Sequence, residues 1–206
     1  MSERALQATV FVVDDDEAMR DSIRWLLESV NLGATLFSCA NDFLESCDPG
    51  QEGCLLLDVR MPGMSGMELL ETLKSSGILL PVIMITGHGD VPMAVRALKH
   101  GAMDFIQKPF NAQELLDRVN AALKLDREQR QRRREIGRRH AQFACLTDRE
   151  MEVVELVVVG NSSKIIAKRL GISPKTVDIH RANIMRKLDI RTVAELVQLR
   201  LGLQDS

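Results

Sequence analysis

Paired cysteines and long apolar runs are both missing from this sequence. It has four cysteines, and no two of them have Cys-x-x-Cys spacing. A metal or disulfide role is therefore disfavoured, and we expect reduced, buried thiols. The first eight residues lack the apolar core of a signal peptide, and no apolar run approaches the roughly 20 residues needed to span a bilayer. We therefore expect a soluble, cytoplasmic protein without a membrane partner.

Charge is distributed unevenly along the 206 residues, a length that suits one or two domains. Residues 1–125 carry 10 Lys/Arg and 18 Asp/Glu, whereas residues 126–206 carry 17 Lys/Arg and 11 Asp/Glu. The net charge of −2 thus conceals an acidic half joined to a basic half. A basic half suits a polyanionic partner, although solvated faces also carry charge runs.

Five short apolar stretches alternate with helical patterns in the acidic half. They lie at residues 9–13, 34–38, 53–58, 81–86 and 103–106. This alternation predicts a doubly wound α/β domain with a five-stranded parallel sheet and helices on both faces. Right-handed crossovers would bring the carboxyl ends of all five strands to one edge.

Polar side chains stand at the carboxyl ends of four of these predicted strands. They are Asp14, Asp15, Asp58, Thr86 and Lys108. Each has an ordinary alternative; Asp58, for example, could cap the helix that follows it. Ligands bind at this edge in open parallel sheets, and five such residues are not expected to gather there by chance. We therefore interpret them as one site.

The chemistry of this site points to phosphoryl transfer. Carboxylates held close together need a cation, and all-oxygen ligation by few protein groups suits Mg²⁺. A carboxylate beside Mg²⁺ can attack a phosphoryl group and form an acyl phosphate. Lys108 and the Thr86 hydroxyl would bind the phosphoryl oxygens. The product adds roughly −1.5 to −2 charges and can act as a switch.

Residues 9 to about 122 resemble the receiver domain of two-component response regulators. The matching segments are Val13-Asp14-Asp15, Leu57-Asp58-Val59-Arg60-Met61-Pro62-Gly63-Met64-Ser65-Gly66, Ile85-Thr86-Gly87-His88-Gly89-Asp90 and Lys108-Pro109-Phe110. The resemblance implies that a sensor histidine kinase phosphorylates Asp58, and that Thr86 and Lys108 bind the phosphoryl group. Thr86 would also serve as a switch residue. The Lys108–Pro109 peptide bond is expected to be cis, a form that is cheap only before proline.

The same resemblance implies the metal ligands and an aromatic switch position. Mg²⁺ would be bound by Asp15, Asp58 and the backbone carbonyl of Arg60, with Asp14 reaching it through water. The switch position falls on Phe105, where many receivers have Tyr. A Phe cannot donate a hydroxyl hydrogen bond, so a rotamer change there would act through packing alone.

A phosphatase of the haloacid-dehalogenase type also uses an Asp nucleophile on a parallel sheet. That family has a second Asp, the general acid, two residues after the nucleophile, where this chain has Arg60. We therefore expect no enzyme activity beyond the receiver's own phosphotransfer and dephosphorylation. Arg60 and His88 flank the site and are candidates for tuning hydrolysis.

Residues 126–141 form a basic segment without proline, and its first fifteen residues read DREQRQRRREIGRRH. The helix predicted from Asn111 has no stop signal, so we expect it to continue to about Ile136. Glu128 and Arg132 would support it as an i,i+4 pair. The alternative is a disordered basic tether. An extended helix would keep the flanking domains apart.

Residues 142–206 have the pattern of an all-α, four-helix domain. Thr147 and Glu150 form a capping-box pattern, and Pro174 follows Gly171 in a short turn before the third helix. Two helices joined by such a turn predict a helix-turn-helix whose third helix enters the major groove. A small bundle that binds protein is the alternative. Residues predicted to pack inward from the third helix are Val177, Ile184 and Leu188.

The exposed face of this third helix supplies the candidate DNA contacts. They are Lys175, Thr176, Asp178, Ile179, Arg181, Ala182 and Arg186. Lys175, Arg181 and Arg186 suit phosphates. Ile179 can touch a thymine methyl group, and Asp178 can accept a hydrogen bond from cytosine N4.

The domain resembles the LuxR-type four-helix DNA-binding domain. The matching segments are Leu146-Thr147-x-Arg149-Glu150 and Ile172-Ser173-x-x-Thr176-Val177-x-x-His180-Arg181-Ala182-Asn183-Ile184-Met185-x-Lys187-Leu188. The whole chain resembles FixJ/NarL-class transcription regulators, and its segments are most similar to FixJ-like members. A regulator of aromatic catabolism, such as styrene degradation, is one expectation. The chain departs from the family pattern at three positions. Ser163 stands where many members have Asn, and Asp178 and Ala182 stand where some members have Lys.

We expect a receiver domain at 1–125, a basic helical linker at 126–141 and a DNA-binding domain at 142–206. Phosphorylation would favour a homodimer through the fourth helix, fifth strand and fifth helix, near Val91, Val95, Ala97 and Lys99. Two reading helices would then occupy half-sites about one helical turn apart on promoter DNA, with RNA polymerase as a further partner. The alternative is a constitutive DNA-binding regulator whose receiver is only a protein-docking module.

Overall fold

The computed structural model describes residues 8–87 and 91–202. The chain divides into two compact units, Met1–Gln129 and Arg130–Ser206. The strands are β1 (Thr9–Val13), β2 (Gly33–Phe37), β3 (Gly53–Asp58), β4 (Val82–Thr86) and β5 (Asp104–Gln107). The helices are α1 (Glu17–Ser29), α2 (Ala40–Ser46), α3 (Gly66–Ser75), α4 (Val91–Lys99), α5 (Ala112–Phe143), α6 (Asp148–Val158), α7 (Ser163–Leu170), α8 (Pro174–Lys187) and α9 (Val193–Leu201).

The first unit is built on a five-stranded parallel sheet with the order β2-β1-β3-β4-β5. This confirms the predicted doubly wound α/β fold, and each strand ends within one residue of its predicted position. Val13 of β1 pairs with Leu57 of β3, and Asp58 pairs with Ile85 of β4. The register therefore brings the carboxyl ends of β1, β3 and β4 side by side.

The central strands β3 and β4 are buried along their whole length. Successive side chains of β3 enter two different core clusters: Leu55 and Leu57 lie on one face of the sheet, and Leu56 lies on the other. An uninterrupted apolar run is thus required, because helices cover both faces of a parallel sheet. The end of this apolar run therefore sets the position of the first polar residue, Asp58, at the carboxyl edge of the sheet.

Helix α4 differs from the sequence prediction. Ala97, a candidate for the dimer surface, is buried against the sheet, at 0% exposure. Val95 and Leu98 are 44% and 47% exposed. At 100° per residue, Ala97 lies on a different side of the helix from Val95 and Leu98. Ala97 therefore cannot belong to a dimer surface, and the Val91 side chain lies outside the described part of the chain.

Helix α5 runs from Ala112 to Phe143, seven residues beyond its predicted end at Ile136. Asp126, which we expected to begin an exposed linker, is 1% exposed. Its Oδ2 accepts a hydrogen bond from the backbone N–H of Gly53 at 3.0 Å. Gly53 has φ +147°, and a Cβ there would lie 1.8 Å from the Thr9 carbonyl oxygen. The hydrogen bond from Gly53 therefore holds the start of β3 against this turn of α5, and the absence of a Cβ at Gly53 lets it approach Thr9 of β1 closely.

The second unit packs α6–α9 and Phe143 around a single apolar cluster. The three inward residues predicted for α8, Val177, Ile184 and Leu188, are all buried, which confirms that part of the prediction. Gly171 adopts φ 67° at the end of α7 and permits the tight turn into α8. Pro174 then occupies the first turn of α8.

A partly buried ion pair connects α6 to the end of α8. Glu150, at 4% exposure, accepts hydrogen bonds from Lys187 Nζ at 2.6 Å and from the Thr147 backbone N–H at 2.8 Å. The hydrogen bond from Lys187, and then that from the Thr147 backbone, hold the pKa of Glu150 below its ordinary value of 4.5. The lowered pKa means that this pair stabilises the fold above the unfolded-state pKa, and that the contribution is lost as pH falls through the folded-state pKa.

We expect Lys187→Gln to lower the free energy of unfolding of the second unit by about 1–3 kcal/mol at pH 7. The variant leaves the buried Glu150 carboxylate without its cation, and the deficit should shrink at acid pH, as the pH falls through the lowered folded-state pKa of Glu150 and the carboxylate is protonated. Hydrogen exchange of α6 and α8 in the full chain, measured at both pH values, gives the two free energies. A deficit that does not change with pH would show that this ion pair is not its cause.

Candidate functional site

A lysine bridges two buried carboxylates at the carboxyl edge of the sheet. Lys108 Nζ donates hydrogen bonds to Asp14 Oδ2 and Asp58 Oδ1, both at 2.7 Å. The Asp14 and Asp58 side chains are 2% and 8% exposed, and that of Lys108 is 18% exposed. Asp14 follows β1, Asp58 ends β3 and Lys108 follows β5, so three separate segments contribute.

Burial and charge pairing act against each other in this cluster. Burial raises the pKa of Asp14, although the hydrogen bond from Lys108 opposes the rise. Burial disfavours the charged form of Lys108, but its hydrogen bonds to Asp14 and Asp58 raise the pKa of the ammonium above its ordinary value. Lys108 is therefore a cation at neutral pH, placed where carboxylates or phosphoryl oxygens can use it.

Backbone groups orient the remaining carboxylate oxygens. Asp14 Oδ1 accepts from the Asp16 N–H at 2.9 Å, and Asp58 Oδ2 accepts from the Arg60 N–H at 2.7 Å. Each oxygen of Asp58 thus accepts one hydrogen bond, from the Arg60 N–H or from Lys108 Nζ. The backbone of Lys108 is held beside the site by a 2.7 Å hydrogen bond to the Thr86 carbonyl.

Thr86 and Phe105 occupy neighbouring strands. Thr86 is the last residue of β4, 1% exposed and opposite Gln107 of β5. Phe105 is half-buried and packs against the core cluster that contains Met84, its partner in the sheet register. The Lys108–Pro109 bond is cis, as the resemblance implied. His88, with the rest of residues 88–90, lies outside the described part of the chain.

The predicted magnesium site depends on the positions of the Asp14, Asp15 and Asp58 side chains. Within residues 8–87 and 91–202, no three His, Cys, Asp or Glu side chains form a group that could hold a metal ion. Asp14 and Asp58 are brought together by Lys108, whereas the Asp15 side chain is exposed. The donors at this edge, carboxylates and the Arg60 carbonyl, are the oxygen types that Mg²⁺ takes, and Mg²⁺ keeps several waters. The residues therefore fit this cation, provided that Asp15 turns towards the pair.

Sequence reasoning missed Arg20, and it quoted Gly66 in the motif around Asp58 without giving it a role. Arg20 Nη1 donates to the Asp14 backbone carbonyl at 2.6 Å, which holds the turn after β1. Gly66 opens α3, and a Cβ there would lie 2.1 Å from the Asp58 carbonyl oxygen. No spacing rule singles out Arg20, but a glycine at the start of the helix after the Asp58 loop was a usable signal.

The second unit presents the predicted reading helix α8. Lys175, Asp178, Ile179, Ala182 and Arg186 are exposed, whereas Thr176 and Arg181 are half-buried. Ile179 is 54% exposed, so its apolar side chain is accessible to a partner. The structure therefore gathers the predicted DNA contacts on one helix, with two of them partly covered.

Two of these contacts are joined through Ser163, the first residue of α7. Ser163 Oγ donates to Asp178 Oδ1 at 2.8 Å and accepts from Arg181 Nη1 at 3.1 Å. One hydroxyl can do both, since it has one donor and two acceptor positions. Asp178 and Arg181 are therefore fixed relative to α7, and neither rotates independently.

Comparison with known proteins finds matches for both units. The family model of the response regulator receiver domain matches residues 10–120, and that of the bacterial regulatory proteins of the luxR family matches residues 144–200. TdiR, a transcriptional regulatory protein of Thauera aromatica, is 46% identical over 190 residues, which are 92% of this chain and 84% of TdiR.

Two further relatives cover nearly all of the chain. The transcriptional regulatory protein FixJ of Azorhizobium caulinodans is 46% identical over 195 residues, which are 93% of this chain and 91% of FixJ. The solved structure of the response regulator StyR has a TM-score of 0.84 and 48% identity, and covers 94% of this chain and 98% of its own. Of the helices described, none has the length and apolar character needed to cross a membrane.

Proposed function

The chain belongs to the two-component response regulators that join a receiver domain to a LuxR-type DNA-binding domain, and we propose that phosphorylation of Asp58 controls its binding to promoter DNA. The membership confirms the resemblance drawn from the sequence motifs. The observation that carries the proposal is the Lys108 ammonium held 2.7 Å from both the Asp14 and the Asp58 carboxylates.

In the proposed reaction, Asp58 Oδ1 attacks the phosphorus of a phosphohistidine on a sensor histidine kinase. The P–N bond breaks and the imidazole leaves with its electron pair, so that Asp58 becomes an acyl phosphate. Lys108 moves onto a phosphoryl oxygen, and the Thr86 hydroxyl donates to another. Receiver domains generally depend on Mg²⁺. Here Asp14, Asp15, Asp58 and the Arg60 carbonyl would hold it, and the ion would supply further charge neutralisation.

The switch follows from the new charge at the sheet edge. Thr86 is drawn towards the phosphoryl group, and Phe105, on the adjacent strand, repacks because it has no hydroxyl with which to bond. The rearranged surface of α4, β5 and the first half of α5 then favours a homodimer. The exposed residues Val95 and Leu98, together with Lys99, support this surface.

The dimer places two α8 helices on promoter DNA in the cytoplasm, and RNA polymerase is the further partner we propose. Lys175 and Arg186 contact phosphates, and Ile179 contacts a thymine methyl group. Arg181 contributes from its position beside Ser163. Control of aromatic catabolism, suggested by the sequence resemblance, stays a prediction.

Trapping the phosphorylated residue tests the proposal. The full chain is treated with a small phosphodonor and Mg²⁺, and the modified peptide is identified by mass spectrometry after reductive cleavage of the acyl phosphate. We expect a single modification, at Asp58, that is labile to acid and base. If no residue is modified, the receiver is a docking module and the constitutive regulator is the correct description.

We expect Ser163→Ala to relax base preference at the position that Asp178 contacts. The variant frees Asp178 and Arg181 from α7, at a cost of about 0.5–1.5 kcal/mol in stability. Selection of bound sites from a random DNA pool measures the preference. Ser162→Ala is the matched control, since Ser162 caps α7 without a side-chain capping hydrogen bond. Selected motifs identical to those of the wild type would rule out a positioning role for Ser163.

A further inference from the structure

The second half of α5 is strongly basic. Its segment Arg130–Phe143 belongs to the same unit as the DNA-binding helices and contains six arginines and a single acidic residue, Glu135. Glu135 already accepts a hydrogen bond from Gln131 at 3.1 Å. Counted on the segment alone, six arginines and one glutamate give a formal charge of +5 with His140 neutral.

Three of these arginines share one side of the helix. Arg130, Arg134 and Arg138 follow one another at intervals of four residues, a spacing that places side chains on one helix face. We name them the arginine stripe. Arg134 and Arg138 are exposed, and Arg130 is half-buried. Residues at these intervals rise about 6 Å apart along the axis at 1.5 Å per residue, a separation close to that of successive phosphates on a strand.

The opposite side of the segment is anchored to the DNA-binding unit. Phe143 is 4% exposed and lies in the core cluster of α6–α9. One turn earlier, Arg139 Nη1 donates to the Gly202 carbonyl, just after α9, at 2.8 Å. These two contacts lie on the face of the helix away from the stripe.

The residues directly after this segment contact the carboxyl end of α8. Directly after α5, the Cys145 carbonyl accepts a hydrogen bond from Lys187 Nζ at 3.2 Å, and Lys187 is the last residue of α8. The chain from Phe143 to Cys145 therefore connects the basic helix to the carboxyl end of α8, beside the exposed Arg186. One unit carries both the groove-reading helix and a row of guanidinium groups.

We propose that the arginine stripe is a second DNA-contacting element, which binds the phosphate backbone beside the site read by α8. The inference rests on the proposed DNA binding and extends it to an element outside the four-helix domain. Guanidinium groups suit phosphates because they present paired N–H donors and are always charged. Such contacts add affinity without reading sequence, and each one releases counterions on binding.

The salt dependence of binding distinguishes this role from a solvated charge run. The double variant Arg134→Gln/Arg138→Gln keeps good helix formers and removes two charges per chain. We expect the slope of log affinity against log salt to become shallower by about 0.9 for each phosphate that the variant no longer binds, summed over both protomers. Base preference should not change. The control Lys74→Gln/Lys124→Gln removes two exposed charges from the first unit and should leave the slope unchanged.

A probe trimmed to the sequence that α8 reads provides the second comparison. On this short probe the wild type and the double variant should bind with equal affinity, because the flanking phosphates are absent. On a longer probe that includes the flanking DNA, Arg134→Lys/Arg138→Lys should keep the wild-type salt slope. Equal salt slopes for the wild type and the double variant on the longer probe would overturn the proposed phosphate binding by the arginine stripe, but not the proposed function. A wild type that binds no DNA at any salt concentration would overturn the proposed function as well.

Discussion

Replacing Lys108 with Met is expected to slow phosphorylation of Asp58 by about 100-fold, the effect of removing one charge-stabilising donor from a reaction centre. The variant takes away the ammonium that lies 2.7 Å from both Asp14 and Asp58. The phosphoryl oxygens then lose a cation, and the two buried carboxylates lose the charge between them. The measurement is the rate of acyl phosphate formation from a small phosphodonor in the presence of Mg²⁺.

The matched control is Lys124→Met. Lys124 lies on the first unit's part of α5, with its side chain 79% exposed, so the same substitution removes a charge far from the site chemistry. Its phosphorylation rate should equal that of the wild type. Hydrogen exchange in β1 and β3 shows whether Lys108→Met is folded. A folded Lys108→Met protein that is phosphorylated at the wild-type rate would contradict the role given to this lysine.

Gly66→Ala should damage the same site through the backbone. The added Cβ would lie 2.1 Å from the Asp58 carbonyl oxygen and 3.1 Å from Val59 Cα, so the Asp58 loop and the start of α3 must separate. We expect the free energy of unfolding of the first unit to fall by about 1–3 kcal/mol, the usual range for overpacking. Phosphorylation should also slow, because Asp58 no longer meets Lys108 in the same geometry.

Gly137→Ala is the opposite case and serves as the control. Gly137 lies inside α5 with open space around its Cα, and alanine is the better helix former. The substitution should stabilise the helix by up to about 1 kcal/mol and leave phosphorylation unchanged. Hydrogen exchange of α3 and α5 reports both effects in the full chain. If Gly66→Ala proved as stable as Gly137→Ala, the close approach of α3 to Asp58 would not constrain the loop.

The fold and the cluster around Asp58 could be predicted because strand-end positions are encoded locally. Buried parallel strands read as apolar runs, and the first polar residue after each run marks the edge of the sheet. That rule located Asp14, Asp58 and Thr86 without any knowledge of long-range contacts, whereas Lys108 comes one residue later than the rule predicts, after Gln107. It could not say which oxygens Lys108 would bridge, since that depends on side-chain geometry across three strands.

Other sequence predictions were wrong, or were not made, because the features concerned depend on tertiary packing. Ala97 of α4 was expected near the dimer surface, but it is buried in the core cluster, whereas Val95 and Leu98 are exposed. Asp126 looks like the first residue of a charged linker, yet it is buried and accepts a hydrogen bond from the Gly53 N–H. Ser163 was noted only as a departure from a family pattern. Its link between Asp178 and Arg181 appears only when α7 and α8 are packed together.

The most direct test of the central claim compares the wild type with Asp58→Asn, each with and without a small phosphodonor and Mg²⁺. Asn keeps the size of the side chain but cannot form the acyl phosphate. Mass by light scattering and affinity for DNA selected from a random pool are measured on the same samples. We predict that the phosphodonor raises the dimer fraction and the DNA affinity of the wild type and leaves Asp58→Asn unchanged. Equal responses of the two proteins would contradict control of DNA binding through Asp58.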